Sequence, residues 1–326
     1  MNISIVIPLL NEKESLTELI NSINELMKAY RFENEIILID DGSKDGSWEL
    51  IKQLSNDNQN IKGIKFHRNY GKSQALHAGF LNAKGHVIFT MDADLQDDPK
   101  EIPAMYDMII NNDYDLVSGW KKKRYDSVLL KNIPSKIFNF AARLTSGIKL
   151  NDFNCGLKAY KSEVVKSINV YGEMHRYIPV LAKNEGFKKI GQKVVNHKAR
   201  KYGKTKFGAS RFLHGFLDLL TIWFISRFGK RPMHLFGSMG ILMLSTGLIF
   251  ALFLGYDKLF VNPEGRLITD RPEFYISLVT MIIGSQFFSM GFIVELMLKN
   301  INLSLIHITE PTRPRLISYA VFCLKK

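Results

Sequence analysis

Along the first 120 residues, short β-branched runs alternate with longer stretches in which apolar residues recur every three or four positions. Ile3–Ile7, Glu35–Ile39, Ile61–Phe66 and His86–Thr90 read as strands, while Glu14–Tyr30, Ser47–Ser55 and Ser73–Ala83 have helical spacing. The strands are apolar without interruption, so both faces of their sheet should be covered. Strand–helix alternation of this kind predicts an α/β domain with a mostly parallel sheet. The opening Met1-Asn2-Ile3-Ser4-Ile5-Val6-Ile7-Pro8 lacks a basic leader and a small-residue cleavage site, and reads as the first strand, not a signal peptide. Ligands of such sheets bind beyond the carboxyl ends of the strands. Those ends are Pro8–Glu12, Asp40–Gly46, Arg68–Ser73 and Asp92–Pro99, all polar and two of them acidic.

The pattern changes after residue 207. Ser210–Arg227 is apolar on most faces, interrupted by Arg211, His214, Asp218 and Arg227, as in a helix lying in a membrane interface. Met233–Tyr256 then runs without a charge, and Phe274–Leu298 carries one acid, Glu295. Each run reaches the roughly 20 residues needed to span a bilayer. The polar, Pro/Gly-punctuated Asp257–Glu273 between them reads as a short loop. Arg227, Lys230 and Arg231 before the first span and Lys299 after the second orient the N-terminal domain to the cytoplasm. Gly237, Ser238, Gly240, Ser245, Gly247, Gly284, Ser285, Ser289 and Gly291 permit close helix packing, either in a hairpin or in a homo-oligomer. The expected organisation is a catalytic domain over 1–208, juxtamembrane helices over 209–231 and a two-helix membrane domain over 232–302.

Charge narrows the class of partner. Of 326 residues, 44 are Lys or Arg and 31 are Asp or Glu, a net charge of +13 that favours an anionic partner: nucleic acid, membrane surface or phosphorylated substrate. The two cysteines exclude a disulfide scaffold and fit a reducing compartment.

Two motifs mislead. Gly71-Lys72-Ser73 looks like the end of a phosphate-binding loop, but the required first glycine is Phe66. No GxGxxG follows a strand, which argues against a dinucleotide oxidoreductase. The acidic cluster Asp92-Ala93-Asp94-Leu95-Gln96-Asp97-Asp98-Pro99 is more informative. Two carboxylates separated by one residue at a strand end can converge on a hard divalent cation that also bridges substrate phosphates. Asp40-Asp41-Gly42-Ser43 closes an earlier strand, where a carboxylate can accept hydrogen bonds from a base or ribose.

These clusters occur in a telling order: Pro8-Leu9-Leu10-Asn11-Glu12, Asp40-Asp41-Gly42-Ser43, Arg68-Asn69-Tyr70-Gly71-Lys72 and Asp92-Ala93-Asp94-Leu95-Gln96. Together they resemble the inverting family 2 glycosyltransferases of GT-A fold. Asp152-Phe153-Asn154-Cys155-Gly156, His175-Arg176-Tyr177-Ile178-Pro179 and Arg200–Phe207 resemble, more narrowly, the polyprenyl-phosphate glycosyltransferases, which include dolichyl-phosphate mannose synthases and bacterial undecaprenyl-phosphate glucosyltransferases. The resemblance covers residues 1–302. It departs at Lys204-Thr205, where Glu-Ser or Lys-Ser is usual, and at Leu157, where Phe is frequent.

The resemblance implies a nucleotide pocket of Pro8, Leu10, Glu12, Asp40, Lys72 and Asp92. It implies a Mg²⁺ or Mn²⁺ site of Asp94, Gln96 and Asp92. Catalytic roles fall to Asp94, Asp152, Arg124 and Arg200, and acceptor-phosphate contacts to Arg176, Arg200, Lys204 and Lys206. Asp152 either orients the acceptor or acts as a base, and orientation is favoured because a lipid phosphate, with a second pKa of about 6, is already anionic. Lys121, Lys123 and Arg124 after the strand-like Asp115–Ser118 form a second basic group. Trp120 is either a core aromatic or a wall of the sugar site. The implied partners are a UDP-sugar, with UDP-glucose first, a polyprenyl phosphate and the bacterial cytoplasmic membrane crossed twice, but no nucleic acid. A family 2 enzyme glycosylating a hydroxyl in cell-surface polysaccharide is the alternative; the absence of a Gln-x-x-Arg-Trp motif and the small number of spans count against it.

Leu303–Lys326 resembles translated sequencing-library adapters on either side of Pro314-Arg315-Leu316. It is expected to be non-native, to carry no function and to have no defined packing on the catalytic domain.

Overall fold

The computed structural model describes residues 1–122, 139–140, 142–144, 146–172, 174–198, 201–202, 221, 223–224, 227–229 and 231–308, with side chains to residue 297. The chain divides into two compact units, Met1–Ser226 and Arg227–Lys326.

The first unit follows the expected alternation: β1 (Ile3–Leu9), α1 (Lys13–Tyr30), β2 (Asn34–Asp40), α2 (Ser47–Asp57), β3 (Ile61–Lys65), α3 (Lys72–Asn82), β4 (Val87–Thr90), α4 (Ile102–Ile110) and β5 (Leu116–Trp120). It continues with β6 (Lys158–Lys161), α5 (Ser162–Ser167), α6 (Ile178–Asn184) and β7 (Ile190–Val194). The strand order is β3-β2-β1-β4-β6-β5-β7. β6 runs antiparallel to both its neighbours, and the remaining pairs are parallel.

Both faces are covered, as the unbroken apolar strands required. Ile5 and Ile7 of β1 pack with Leu16, Ile20 and Ile23 of α1, whereas Val6 points the other way, into the cluster of Leu76 and Phe80 from α3. The polar Glu35 within β2 is satisfied by Ser4 Oγ–H at 2.7 Å, Lys62 Nζ at 2.5 Å and the Lys84 N–H at 2.7 Å. Burial alone would raise its pKa, but these donors bring it below the ordinary carboxylate value.

β6 was not legible in the sequence. Lys158-Ala159-Tyr160-Lys161 has no apolar run, and the strand exists because β4 and β5 offer it a slot between them. The chain winds outward from β1 to β3 and returns beside β1 as β4. That reversal opens a crevice beyond the carboxyl ends of β1 and β4.

The second unit contains α7 (Met233–Tyr256) and α8 (Pro272–Ile308), both long and apolar enough to cross a membrane. They pack on their glycines: a Cβ on Gly240 would stand 2.7 Å from Gly284 O, and one on Gly284 2.8 Å from Leu244 N. These glycines therefore serve the hairpin. Glu295, the lone acid of α8, accepts a hydrogen bond at 3.2 Å from the N–H of Met233, the first residue of α7. Pro232 offers that helix end no side-chain cap, so Glu295 satisfies one of its orphan donors. The intervening loop is more ordered than its composition suggested. A π-helical turn, Asp257–Val261, is held by the Asp257–Arg271 ion pair at 2.6 Å. α8 runs beyond the expected end of the second span, through the start of the adapter-like segment; residues 309–326 of that segment lie outside the described residues.

Candidate active site

The loops after β1 and β2 are laced together by side chains. Asn11, in the left-handed region (φ 52°), donates its N–H to Ser43 Oγ at 2.8 Å and accepts the Lys44 N–H on Oδ1 at 2.8 Å. The Glu12 N–H reaches Ser47 Oγ at 3.2 Å, and the Lys13 N–H reaches Asp45 Oδ2 at 3.0 Å. Asp40, at the end of β2, accepts the Ser43 N–H on Oδ1 at 2.8 Å, while its buried Oδ2 has no partner among the described residues. Such an oxygen is costly unless a ligand donor meets it. Asp41 turns the other way and accepts the N–H groups of Tyr70 and Gly71 at 2.7 and 3.0 Å, tying the third loop to the second. Burial raises its pKa.

Asp92 follows β4 and forms an ion pair with Lys72 of α3 at 2.5 Å. Close approach is possible because residue 156 is glycine: a Cβ there would lie 2.5 Å from Asp92 Oδ2. Desolvation in the crevice opposes ionisation, but Lys72, Lys121 and Lys158 hold Asp92 well below the usual carboxylate range. Pro8, Lys72, Asp92, Asn154, Lys158, His175 and Arg176 line one narrow cavity. Thus Pro8, Lys72, Asp92 and Arg176, expected from four separate motifs, are brought together.

Asp94 is 8% exposed and accepts the Gln96 N–H on Oδ1 at 3.2 Å; Leu95 between them is left-handed, with φ 61°. The loop is stitched to the segment 196–198. The Lys198 N–H donates to Gln96 O at 2.9 Å, Asp97 and His197 form a backbone bridge, and Lys198 Nζ lies 3.2 Å from Asp98. Lys198 is two residues before Arg200.

Asp152 is 2% exposed; its Oδ1 accepts the Asn154 N–H at 3.0 Å and its carbonyl accepts the Ser118 hydroxyl at 3.2 Å. It organises the turn that presents Asn154. Leu10 and Glu12 lie in the β1–α1 connection, where Glu12 occupies the N-cap position of α1. Arg124, Arg200, Lys204 and Lys206 lie outside the described residues. Lys121 differs from its expected place in a basic acceptor patch: its side chain is 12% exposed and pairs at 2.8 Å with the fully buried Asp97. Trp120 ends β5, half-buried.

Two features escaped sequence reasoning. Lys158 is a lysine inside a short strand, 4% exposed, with its ammonium on Cys155 O. Ser73 Oγ accepts the His175 backbone N–H at 3.0 Å and lies within hydrogen-bond distance, 3.2 Å, of His175 Nδ1. The His175 imidazole is held toward its neutral form. Burial, then Lys72, Arg176 and Lys158, hold its pKa well below the ordinary value. Polar residues in otherwise apolar or small-residue runs were the only signal for either.

Among the described residues, no group of three or more His, Cys, Asp or Glu side chains could by itself enclose a metal ion. Asp92 and Asp94 instead fit a hard cation that takes its other ligands from substrate phosphates and water. Chemically, the crevice offers an orphaned carboxylate oxygen, a carboxylate pair and a cationic wall.

Comparison with known proteins bears on the family and the fold. Residues 4–168 match the family model of glycosyl transferase family 2. The chain is 35% identical over 298 residues to the dodecaprenyl-phosphate galacturonate synthase of Rhizobium johnstonii, covering 91% of this chain and 87% of that one. It is 34% identical over 295 residues to an undecaprenyl-phosphate 4-deoxy-4-formamido-L-arabinose transferase of Shewanella sediminis, covering 90% and 86% respectively. Among solved structures, glucosyl-3-phosphoglycerate synthase from Mycobacterium tuberculosis, in complex with Mn²⁺, UDP-glucose and phosphoglyceric acid, superposes with a TM-score of 0.55 at 18% identity, covering 68% of this chain and 79% of that one. That likeness carries the GT-A-like fold. The chain belongs to glycosyl transferase family 2, among the polyprenyl-phosphate glycosyltransferases.

Proposed function

We propose that the protein transfers a sugar, with inversion, from a UDP-sugar to polyprenyl phosphate at the cytoplasmic face of the bacterial inner membrane. The observation that carries this reading is the crevice where Lys72 pairs with Asp92 beside Asp94, in a chain with two membrane-length helices. Arg227 and Arg231 before α7 support a cytoplasmic catalytic unit.

Asp40 accepts from the nucleotide through its orphaned Oδ2, with Pro8, Leu10 and Glu12 forming the rest of that wall. Lys72 holds Asp92 in place and adds positive charge beside the donor diphosphate. Asp94, with Asp92 and Gln96, would hold Mg²⁺ or Mn²⁺, which when bound neutralises charge on the departing diphosphate. The acceptor phosphate arrives as an anion, so no strong general base is required. This agrees with a His175 whose pKa is held below the ordinary value and with an Asp152 that accepts the Asn154 N–H of its own turn. Arg176, Arg124, Arg200, Lys204 and Lys206 orient the lipid phosphate and compensate its charge.

Glucose, expected first, is the sugar named for neither of the two relatives; they carry galacturonate and a formamido-arabinose. The test is to incubate the protein with UDP-glucose, UDP-galacturonate and UDP-4-deoxy-4-formamido-arabinose, each with and without undecaprenyl phosphate and Mg²⁺. Label entering the organic phase only when lipid phosphate is present supports the reading; label in an aqueous polymer, or none, overturns it.

A further inference from the structure

Lys158 is a buried cation that the mechanism above does not use. It is 4% exposed, and among the described residues it forms no ion pair and makes a single hydrogen bond, to the carbonyl of Cys155. An ammonium has three donors, so at least two are left over. Burial in these surroundings pushes its pKa down, which is the cost of placing it there. The same cavity holds a second unsatisfied group, Asn154 Oδ1, buried and without a partner among the described residues. A spare donor set and a spare acceptor thus line one space that also reaches Lys72, Asp92, His175 and Arg176. The space admits little more than one water-sized group. A single hydroxyl fits, accepting from Lys158 and donating to Asn154; so does one carboxylate oxygen held by Lys158.

We propose that Lys158 and Asn154 form a subsite that grips one oxygen substituent of the donor sugar and so sets which sugar is transferred. This rests on the transferase reading above. The fold supports the assignment in two ways. Gly156 and the Asp152 turn place Asn154 against the Asp92 side of the crevice, and the insertion of β6 beside β4 brings Lys158 under the same wall. A solvent-filled structural void would satisfy the same groups, and the experiment separates the two.

The donor turned over by the full-length protein is first found from the three UDP-sugars above. Its analogues, each lacking one oxygen substituent, are then assayed with the parent protein, Lys158→Met and Asn154→Ala. One analogue should lose at least about tenfold in kcat/KM with the parent protein, as expected for an unmade hydrogen bond to a charged group. With Lys158→Met that penalty should vanish, while KM for undecaprenyl phosphate stays within twofold. Asn154→Ala should narrow the same penalty, and it carries the test if Lys158→Met does not fold. Equal losses for every donor, with the discrimination intact in both variants, would show that the pair only holds water and supports Asp92. If the parent protein glycosylates no lipid phosphate, the transferase reading itself has failed.

Discussion

The ammonium of Lys72, the first residue of α3, lies 2.5 Å from the carboxylate of Asp92, the second residue after β4. Twenty residues apart in sequence, they meet because α3 and β4 belong to the crossover that brings the chain back beside β1. The pair divides the acidic motif into two parts. Asp92 is oriented by a lysine, and Asp94 accepts the N–H of Gln96.

Removing the lysine should expose that division. In Lys72→Met, Asp92 loses its nearest cation and its pKa rises toward the ordinary carboxylate range. A carboxylate with a lowered pKa contributes fully above its unfolded value and loses that contribution as pH falls through the folded one. The acid limb of the kcat/KM profile should therefore move to higher pH in the variant. An unchanged limb would mean that Asp92 ionisation is not what the lysine protects.

Asp94→Asn should abolish transfer while leaving the domain folded. Loss of one carboxylate from a hard-cation site removes several kcal/mol of charge stabilisation, a rate factor of at least about a hundred. Turnover at saturating Mg²⁺ and Mn²⁺, beside an unchanged thermal melting point, is the measurement.

His175 leaves a signature in stability. Its folded pKa is held below the unfolded value of about 6.5, so on acidification the unfolded chain takes up the proton first. Its contribution is whole above that pH and declines as pH falls below it, by up to about 1.4 kcal/mol per pH unit. Denaturant midpoints of the full chain in detergent should fall from pH 7 to pH 5, and less steeply in His175→Gln.

Arg200→Ala and Lys206→Ala should raise KM for undecaprenyl phosphate about tenfold or more and leave KM for the UDP-sugar nearly unchanged. The basis is the resemblance of Arg200–Phe207 to the polyprenyl-phosphate glycosyltransferases and its place in the sequence just before the interfacial segment. Equal loss for both substrates would assign the residues to the donor diphosphate.

In the membrane unit, Gly240→Val should disrupt the hairpin and Gly255→Val should not. A Cβ on Gly240 meets Gly284 O at 2.7 Å and Phe288 N at 2.8 Å, whereas nothing lies within 4 Å of one on Gly255. Overpacking at the first site costs about 1–3 kcal/mol or more. Melting of the detergent-solubilised protein should fall for the first variant only.

Much of this was readable from the chain alone because the relevant physics is local. Unbroken apolar runs such as Ile36–Ile39 demand burial on both faces, and the polar clusters that end them mark the binding edge. Met233–Tyr256 is long and apolar enough to span a bilayer, and α7 has those bounds. The pairing of Asp41 with the third loop rather than a ligand, the withdrawal of Lys121 onto Asp97 and the burial of Lys158 were not readable. A charged side chain at a strand end is equally compatible with solvent, a ligand or an ion pair. The choice depends on which distant residue the fold brings opposite it, and the strand that brings Lys158 beneath Asp92 has no hydrophobic pattern of its own. Sequence therefore determined the layers and the edge at which chemistry occurs, while tertiary structure decided which charges face the crevice and which are spent on one another, because only packing sets their distances and their access to water.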